Sequence, residues 1–168
     1  MANVNNKFGF RLSRKRGKCV ESNPYTAAAG ADIPEGSPVK LQANGSVAVY
    51  AAGDGKILGV AAATWKDGSI HPVFVYDDPE SVFEGQATTF SSVDVGQNVD
   101  VAATPTTDPS TGRSGDGFDG ATYASTAALP FKVLGLSDRD GNEFGAFAKI
   151  DCKLNNSVKG SGDGSTGV

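Results

Sequence analysis

Residues 31–65 read ADIPEGSPVKLQANGSVAVYAAGDGKILGVAAATW, and this stretch decides the fold class. The segments PVKLQ and SVAVY flank Asn44-Gly45, which is a strong β-hairpin signal. Asp54-Gly55 predicts the next turn, and the apolar run KILGVAAAT that follows suits a buried strand or a short helix. Because turns and β-branched residues surround that run, we favour the strand. The stretch therefore predicts a series of short strands joined by tight turns.

The same pattern continues to the end of the chain. VFVY, SVFEGQATTF and VGQNVDVAA are strand-like, and LPFKVLGLSD and FGAFAKIDCKL form a further pair joined by the turn signal Asp140-Gly141. The 22 glycines argue against long helices, since glycine in a helix interior costs about 1 kcal/mol relative to alanine. The prediction is an all-β fold: a single compact β-barrel or β-sandwich of about eight short antiparallel strands.

Composition divides the chain into three parts. Residues 1–22 are predicted to form an extended basic N-terminal arm, residues 23–156 a β domain, and residues 157–168 a glycine-rich C-terminal tail. Within the domain, residues 103–128 are rich in Gly, Ser, Thr, Asp and Pro and poor in large aliphatic residues. They are predicted to form a long surface loop, and loops beyond about 12–15 residues are usually functional or disordered.

The arm carries the strongest functional signal. The chain has a net charge of -4, yet its first 18 residues hold six cations and no acid, so the remainder must carry -10. Phe8, Phe10 and Leu12 alternate with other residues, which predicts an extended segment with one apolar face. Too few apolar residues are present for a core, so we expect the arm to lie on a partner. The candidate binding residues are Lys7, Phe8, Phe10, Arg11, Leu12, Arg14, Lys15, Arg16 and Lys18.

Motifs for catalysis and cofactor binding are weak. G-x-G-x-x-G occurs at 115–120 and 162–167, but neither match has the strand before it and the helix after it that a dinucleotide site needs. The DRDGNE segment at 138–143 lacks EF-hand spacing and predicts a hairpin turn. The single histidine, His71, precedes a proline and has no G-x-S-x-G elbow beside it. We therefore expect no enzyme activity, no cofactor and no metal site.

Other features restrict the compartment and the partners. The chain has no apolar run of 18 residues and no signal peptide, so no membrane association or secretion is predicted. Cys19 and Cys152 are expected to be free thiols, although a single bridge between them stays open. The aromatic residues of the predicted strands, Trp65 among them, are expected in the core. Sugar binding through Trp65 is a minor alternative.

The order of several segments resembles a group of tailed-phage virion proteins that look like capsid decoration, or cement, proteins. The segments are FGFRLSRKRGK, ADIPEGSPVKL, ILGVAAA, VFVYDDPESVFEGQ, VGQNVDV, LPFKVLGL and NEFGAFAKIDCKLNN. Together they cover the chain from Phe8 to about Asn156. A fainter likeness is to the lambda-type head decoration proteins, which are shorter and lack the basic arm, the 103–128 loop and the tail.

This resemblance implies a virion structural protein, assembled in the host cytoplasm, that binds the major capsid protein on the outer surface of the head and stabilises the shell. The arm would dock on neighbouring capsid subunits. Assembly as a homo-oligomer stays open, because the trimer belongs to the shorter relatives. The alternative is a nucleic-acid-binding β module inside the capsid, which the net charge of -10 outside the arm disfavours.

Overall fold

The computed structural model describes residues 3–13, 21–102, 111–160 and 164–167. Within these ranges the chain forms short strands and one 3₁₀ helix, Ser92–Asp94. The strands are β1 (Arg11–Leu12), β2 (Asn23–Tyr25), β3 (Pro38–Leu41), β4 (Val47–Val49), β5 (Gly59–Ala61), β6 (Val73–Tyr76), β7 (Val82–Gln86), β8 (Thr89–Phe90), β9 (Asn98–Val99), β10 (Phe131–Leu136), β11 (Gly145–Ala146) and β12 (Lys149–Leu154).

The strands form two five-stranded sheets and one separate pair. The first sheet has the order β1-β7-β12-β10-β9, the second has the order β2-β6-β5-β3-β4, and β8 pairs with β11. Every pairing between these strands is antiparallel. The all-β prediction is confirmed, and because neither described sheet closes on itself, the open sheets favour the sandwich over the barrel.

The stretch at 31–65 folds as its turn signals predict. β3 and β4 pair across Asn44-Gly45, where the side chain of Asn44 accepts a hydrogen bond of 3.0 Å from the Ser46 backbone N–H. This local bond is the reason that asparagine favours such turns. The ambiguous apolar run contains β5, which lies between β3 and β6, so the strand interpretation is confirmed.

Two apolar clusters form the core. The larger one joins the first sheet to Val60 of β5 in the second sheet and to neighbouring loops, and its largest side chains include Phe10, Phe83, Phe118 and Phe131. The smaller one belongs to the second sheet and contains Ile33, Val39, Leu58, Trp65 and Val75 among others. The alternation of buried and partly exposed residues along β10 is the period-two pattern that the sequence predicts for a half-buried strand.

The predicted surface loop at 103–128 is only partly at the surface. Residues 111–128 contain none of the strands above, yet residues 114–118 are buried. Phe118 is fully buried, and its backbone N–H donates to the Gln86 carbonyl at 2.9 Å. The expectation is corrected for this part, because one aromatic side chain draws a polar segment across the core. Residues 103–110 lie outside the described residues.

Other predicted features have mixed outcomes. Trp65 and Phe83 are core residues, as expected, but Phe74 is 38% exposed and does not belong to the core. Trp65 is 8% exposed and donates its indole N–H to the His71 carbonyl at 2.8 Å, which leaves little ring surface for a sugar. Cys152 is a buried free thiol, and Cys19 lies outside the described residues.

Candidate functional site: a cationic groove

The N-terminal segment lies on the protein's own body through residue 13. Gln86 holds it by accepting a hydrogen bond from the Asn6 backbone N–H and donating one to the Asn5 side chain. Farther along, the Ser13 backbone N–H donates to the Val82 carbonyl, and β1 adds to the edge of β7. The expectation that the arm lies on a partner is therefore wrong for residues 3–13, because this segment pairs as a strand and makes polar contacts within its own chain.

Gly9 changes the direction in which the aromatic residues of this segment point. Its φ of +69° lies in the left-handed region, and a Cβ there would come within 2.9 Å of the Ser114 Cβ atom. Glycine is the residue that adopts this conformation without a steric penalty. The turn breaks the period-two alternation, so Phe8 and Phe10 do not share one apolar face as the sequence predicted.

Phe10 belongs to the core. It is 2% exposed, and its ring centroid lies 4.8 Å from that of Phe118 and 5.1 Å from that of Phe131. The expectation that Phe10 enters a partner is wrong, since these two rings already occupy its faces and edges. Leu12 is partly buried against the same cluster and is likewise not a free anchor.

Phe8 lies outside the core, in a groove of about 510 Å³. The groove is lined by five cations from different parts of the chain and, among the described residues that line it, by no acid. These cations are Lys7, Arg11, Arg113, Arg139 and Lys149. The Arg11 and Arg139 guanidinium carbons lie 4.3 Å and 5.5 Å from the centroid of the Phe8 ring, which is cation–π distance.

Two of these cations have carboxylate partners that do not themselves line the groove. Arg139 forms a two-pronged ion pair with Glu84, whose carboxylate also accepts from the Ser137 hydroxyl. Arg113 pairs with Glu35 at 3.3 Å. The side-chain ammonium of Lys149 donates to the Val4 and Phe147 carbonyls, at 2.7 Å and 3.0 Å. Five cations and two paired acids leave a net charge of +3 around the groove.

The pKa values of the groove's cations reflect this crowding. Partial burial lowers the pKa of Arg11, and the nearby positive charges of Arg113 and Arg139 lower it further. Partial burial also lowers the pKa of Lys149, with Arg139 as the next cause. By contrast, the hydrogen bond from Arg139 to Glu84 raises the pKa of Arg139. An anion that enters the groove would relieve the repulsion among the cations.

The structure thus places three predicted site residues, Lys7, Phe8 and Arg11, in one groove. Arg14, Lys15, Arg16 and Lys18 follow directly in sequence and lie outside the described residues. Sequence reasoning missed the other three cations of the groove, Arg113, Arg139 and Lys149. Arg113 is the one cation within the 103–128 segment, which is a weak signal in the sequence. Arg139 and Lys149 have no such signal, because only the folding of the sheet brings them close to β1.

No protein-family model matches the chain, and no curated protein matches it significantly. Within the part of the chain that the structure describes, no helix has the length and apolar character to span a membrane. The same residues contain no group of three or more His, Cys, Asp or Glu side chains that could hold a metal ion.

Proposed function

We propose that this protein is a virion structural protein of the decoration, or cement, type, which binds the major capsid protein on the outside of a phage head and stabilises the shell. The proposal starts from the resemblance in segment order between Phe8 and Asn156. The structural observation that carries it is the cationic groove, which gives an otherwise acidic chain one face suited to an acidic protein surface.

The docking surface differs from the one that the sequence alone suggested. A free arm with three apolar anchors is replaced by a groove that the N-terminal segment builds together with the body. The basic run Arg14, Lys15, Arg16 and Lys18 continues from the end of β1 at the edge of the first sheet. Contacts with two neighbouring capsid subunits would reinforce each other, because each contact raises the effective concentration for the next.

Heads of the encoding phage test the proposal. Purified particles should contain the protein in near-stoichiometric amount on the head surface, as seen by mass spectrometry and electron cryomicroscopy. Heads assembled without the gene should bind the purified full-length protein in a sedimentation assay and become more resistant to heat. A particle whose head lacks the protein, or a purified protein that never sediments with these heads, would overturn the proposal.

The cationic groove also favours a second candidate, a nucleic-acid-binding β module inside the capsid. An aromatic ring beside several arginines is a common element of single-strand binding sites. Arg11 already lies over the Phe8 ring, however, and the chain beyond its first 18 residues carries -10. Binding through six phosphates would give a log–log salt slope of about -5. A gel shift at low salt without retardation excludes this candidate.

A further inference from the structure

We propose that the groove around Phe8 binds an extended acidic peptide segment of the partner protein, with carboxylates set beside an apolar side chain. This inference rests on the proposed function and names the chemistry that the shell protein would present. Its first support is convergence, because the N-terminal segment, the 111–118 segment, the β10–β11 turn and the start of β12 all deliver cations to one groove.

The positive charges of the groove are only partly neutralised by carboxylates. Glu84 and Glu35 form ion pairs with Arg139 and Arg113. Among the described residues Lys7 and Arg11 form no ion pair of their own, although the charges of Glu84 and Glu35 also act on Arg11. Arg11 is exposed, and its guanidinium faces the groove over the Phe8 ring. A guanidinium in this setting can hold a carboxylate through two parallel hydrogen bonds. Lys7 supplies a second, more mobile charge for a neighbouring carboxylate.

The groove also has an apolar part. The Phe8 ring is partly buried, and Val4 beside it is 71% exposed. Isolated surface ion pairs contribute little to affinity, so carboxylates alone would bind weakly. An apolar side chain that packs on Phe8 and Val4 would add affinity and define the register of the bound segment.

A short protein segment fits this site better than a nucleic acid does. A duplex carries one charge per about 1.7 Å and extends far beyond the groove, onto a chain that carries -10 outside its first 18 residues. A peptide can confine its carboxylates to the groove itself. Charge complementarity therefore favours discrete carboxylates from a protein.

The probe is a short fluorescein-labelled peptide that alternates glutamate with phenylalanine, and fluorescence anisotropy with the full-length protein measures its binding. Binding should weaken as salt rises, since exposed charges are screened over about 8 Å at physiological ionic strength. The double variant Lys7→Gln/Arg11→Gln should bind the peptide about tenfold more weakly or worse. The same peptide with glutamine in place of glutamate should not bind.

A matched control removes two cations elsewhere. Lys66→Gln/Lys153→Gln has the same change in net charge but alters residues that do not line the groove, and it should bind the peptide like the unsubstituted protein. Thermal unfolding of both double variants checks that each one folds. Equal losses in the two variants, or no peptide binding by the unsubstituted protein at low salt, would overturn the inference.

The remaining outcomes separate this inference from the proposed function. If the protein sediments with heads and Lys7→Gln/Arg11→Gln sediments equally well, the groove inference fails while the decoration role stands. If the protein binds the peptide as expected but does not sediment with heads, the decoration role fails and the peptide site stands. Tighter binding of oligothymidylate than of the peptide would contradict the choice of a protein segment. Self-association of the protein in sedimentation velocity that Lys7→Gln/Arg11→Gln abolishes would also contradict the inference, because a second copy would then occupy the groove.

Discussion

The aromatic core beneath β1 and the cationic groove above it are built by consecutive residues, yet different forces govern the two regions. Phe10 lies among the rings of Phe118 and Phe131 and is shielded from water. Arg11, the next residue, is exposed and lies close enough to Arg113 and Arg139 for their charges to affect its pKa. The aromatic rings of the core pack against one another away from water, whereas the groove brings like charges together, and such local conflicts are expected at functional sites.

Substitution of Phe10 should have the largest effect on stability. Phe10→Ala leaves a cavity between Phe118 and Phe131 and should lower the free energy of unfolding by about 3–5 kcal/mol, as measured by urea denaturation. Phe74→Ala removes the same side chain from a position that is 38% exposed, and it should cost much less. Equal losses in the two variants would mean that Phe10 does not anchor the N-terminal segment in the core.

An added methyl group should destabilise the same core by overpacking it instead of leaving a cavity. A Cβ at Gly85 would lie 2.8 Å from the Phe118 ring and 2.9 Å from the Phe10 ring. Overpacking of this kind costs about 1–3 kcal/mol, so Gly85→Ala should lower the unfolding free energy by that amount. Phe118→Leu removes ring atoms at this contact, so the double variant should lose less than the sum of the single variants. Simple additivity would contradict a direct clash.

Most strands from β3 onward could be predicted from the sequence because their signals are local, whereas β1 and β2 were not predicted. Asn44-Gly45 and Asp140-Gly141 each determine a turn between neighbouring segments, and the alternation along β10 reports one buried face. The site could be predicted only in part. Lys7, Phe8 and Arg11 were visible in the basic segment, but the partners of these residues lie more than 100 positions away in sequence.

The errors share a physical cause in long-range packing. Phe10 was predicted to contact a partner because nothing in its neighbourhood shows that Phe118 and Phe131 meet it. Phe118 was assigned to a surface loop because its neighbours are polar and glycine-rich. In both cases one aromatic side chain within a polar segment found its partners across the fold. For Phe10, the left-handed conformation of Gly9 also breaks the alternation that predicted a shared face with Phe8.

The ion pair between Arg139 and Glu84 should have an intermediate effect on stability. Arg139→Gln removes the charged partner of a carboxylate that is 9% exposed, while the Ser137 hydroxyl continues to donate to it. Hydrogen bonds to charged groups contribute about 1.5–3 kcal/mol, and the half-exposed Arg139 side chain reduces this, so we expect the unfolding free energy to fall by about 1–2 kcal/mol. Lys153→Gln breaks the more exposed pair with Glu80 and should change stability by less than about 0.5 kcal/mol. If Lys153→Gln lowered the unfolding free energy more than Arg139→Gln, the pair with Glu80 would stabilise the fold more than the pair with Glu84, contrary to this prediction.

Arg11→Gln should have the smallest effect on stability and is the sharpest test of the contrast with its neighbour Phe10. The guanidinium is exposed and repelled by Arg113 and Arg139, so its removal should change the unfolding free energy by no more than about 0.5 kcal/mol, in either direction. Urea denaturation of Arg11→Gln and Phe10→Ala under identical conditions gives the comparison. A loss above about 2 kcal/mol for Arg11→Gln would show that the cation supports the fold, as its neighbour Phe10 does, and would contradict the contrast between the two residues.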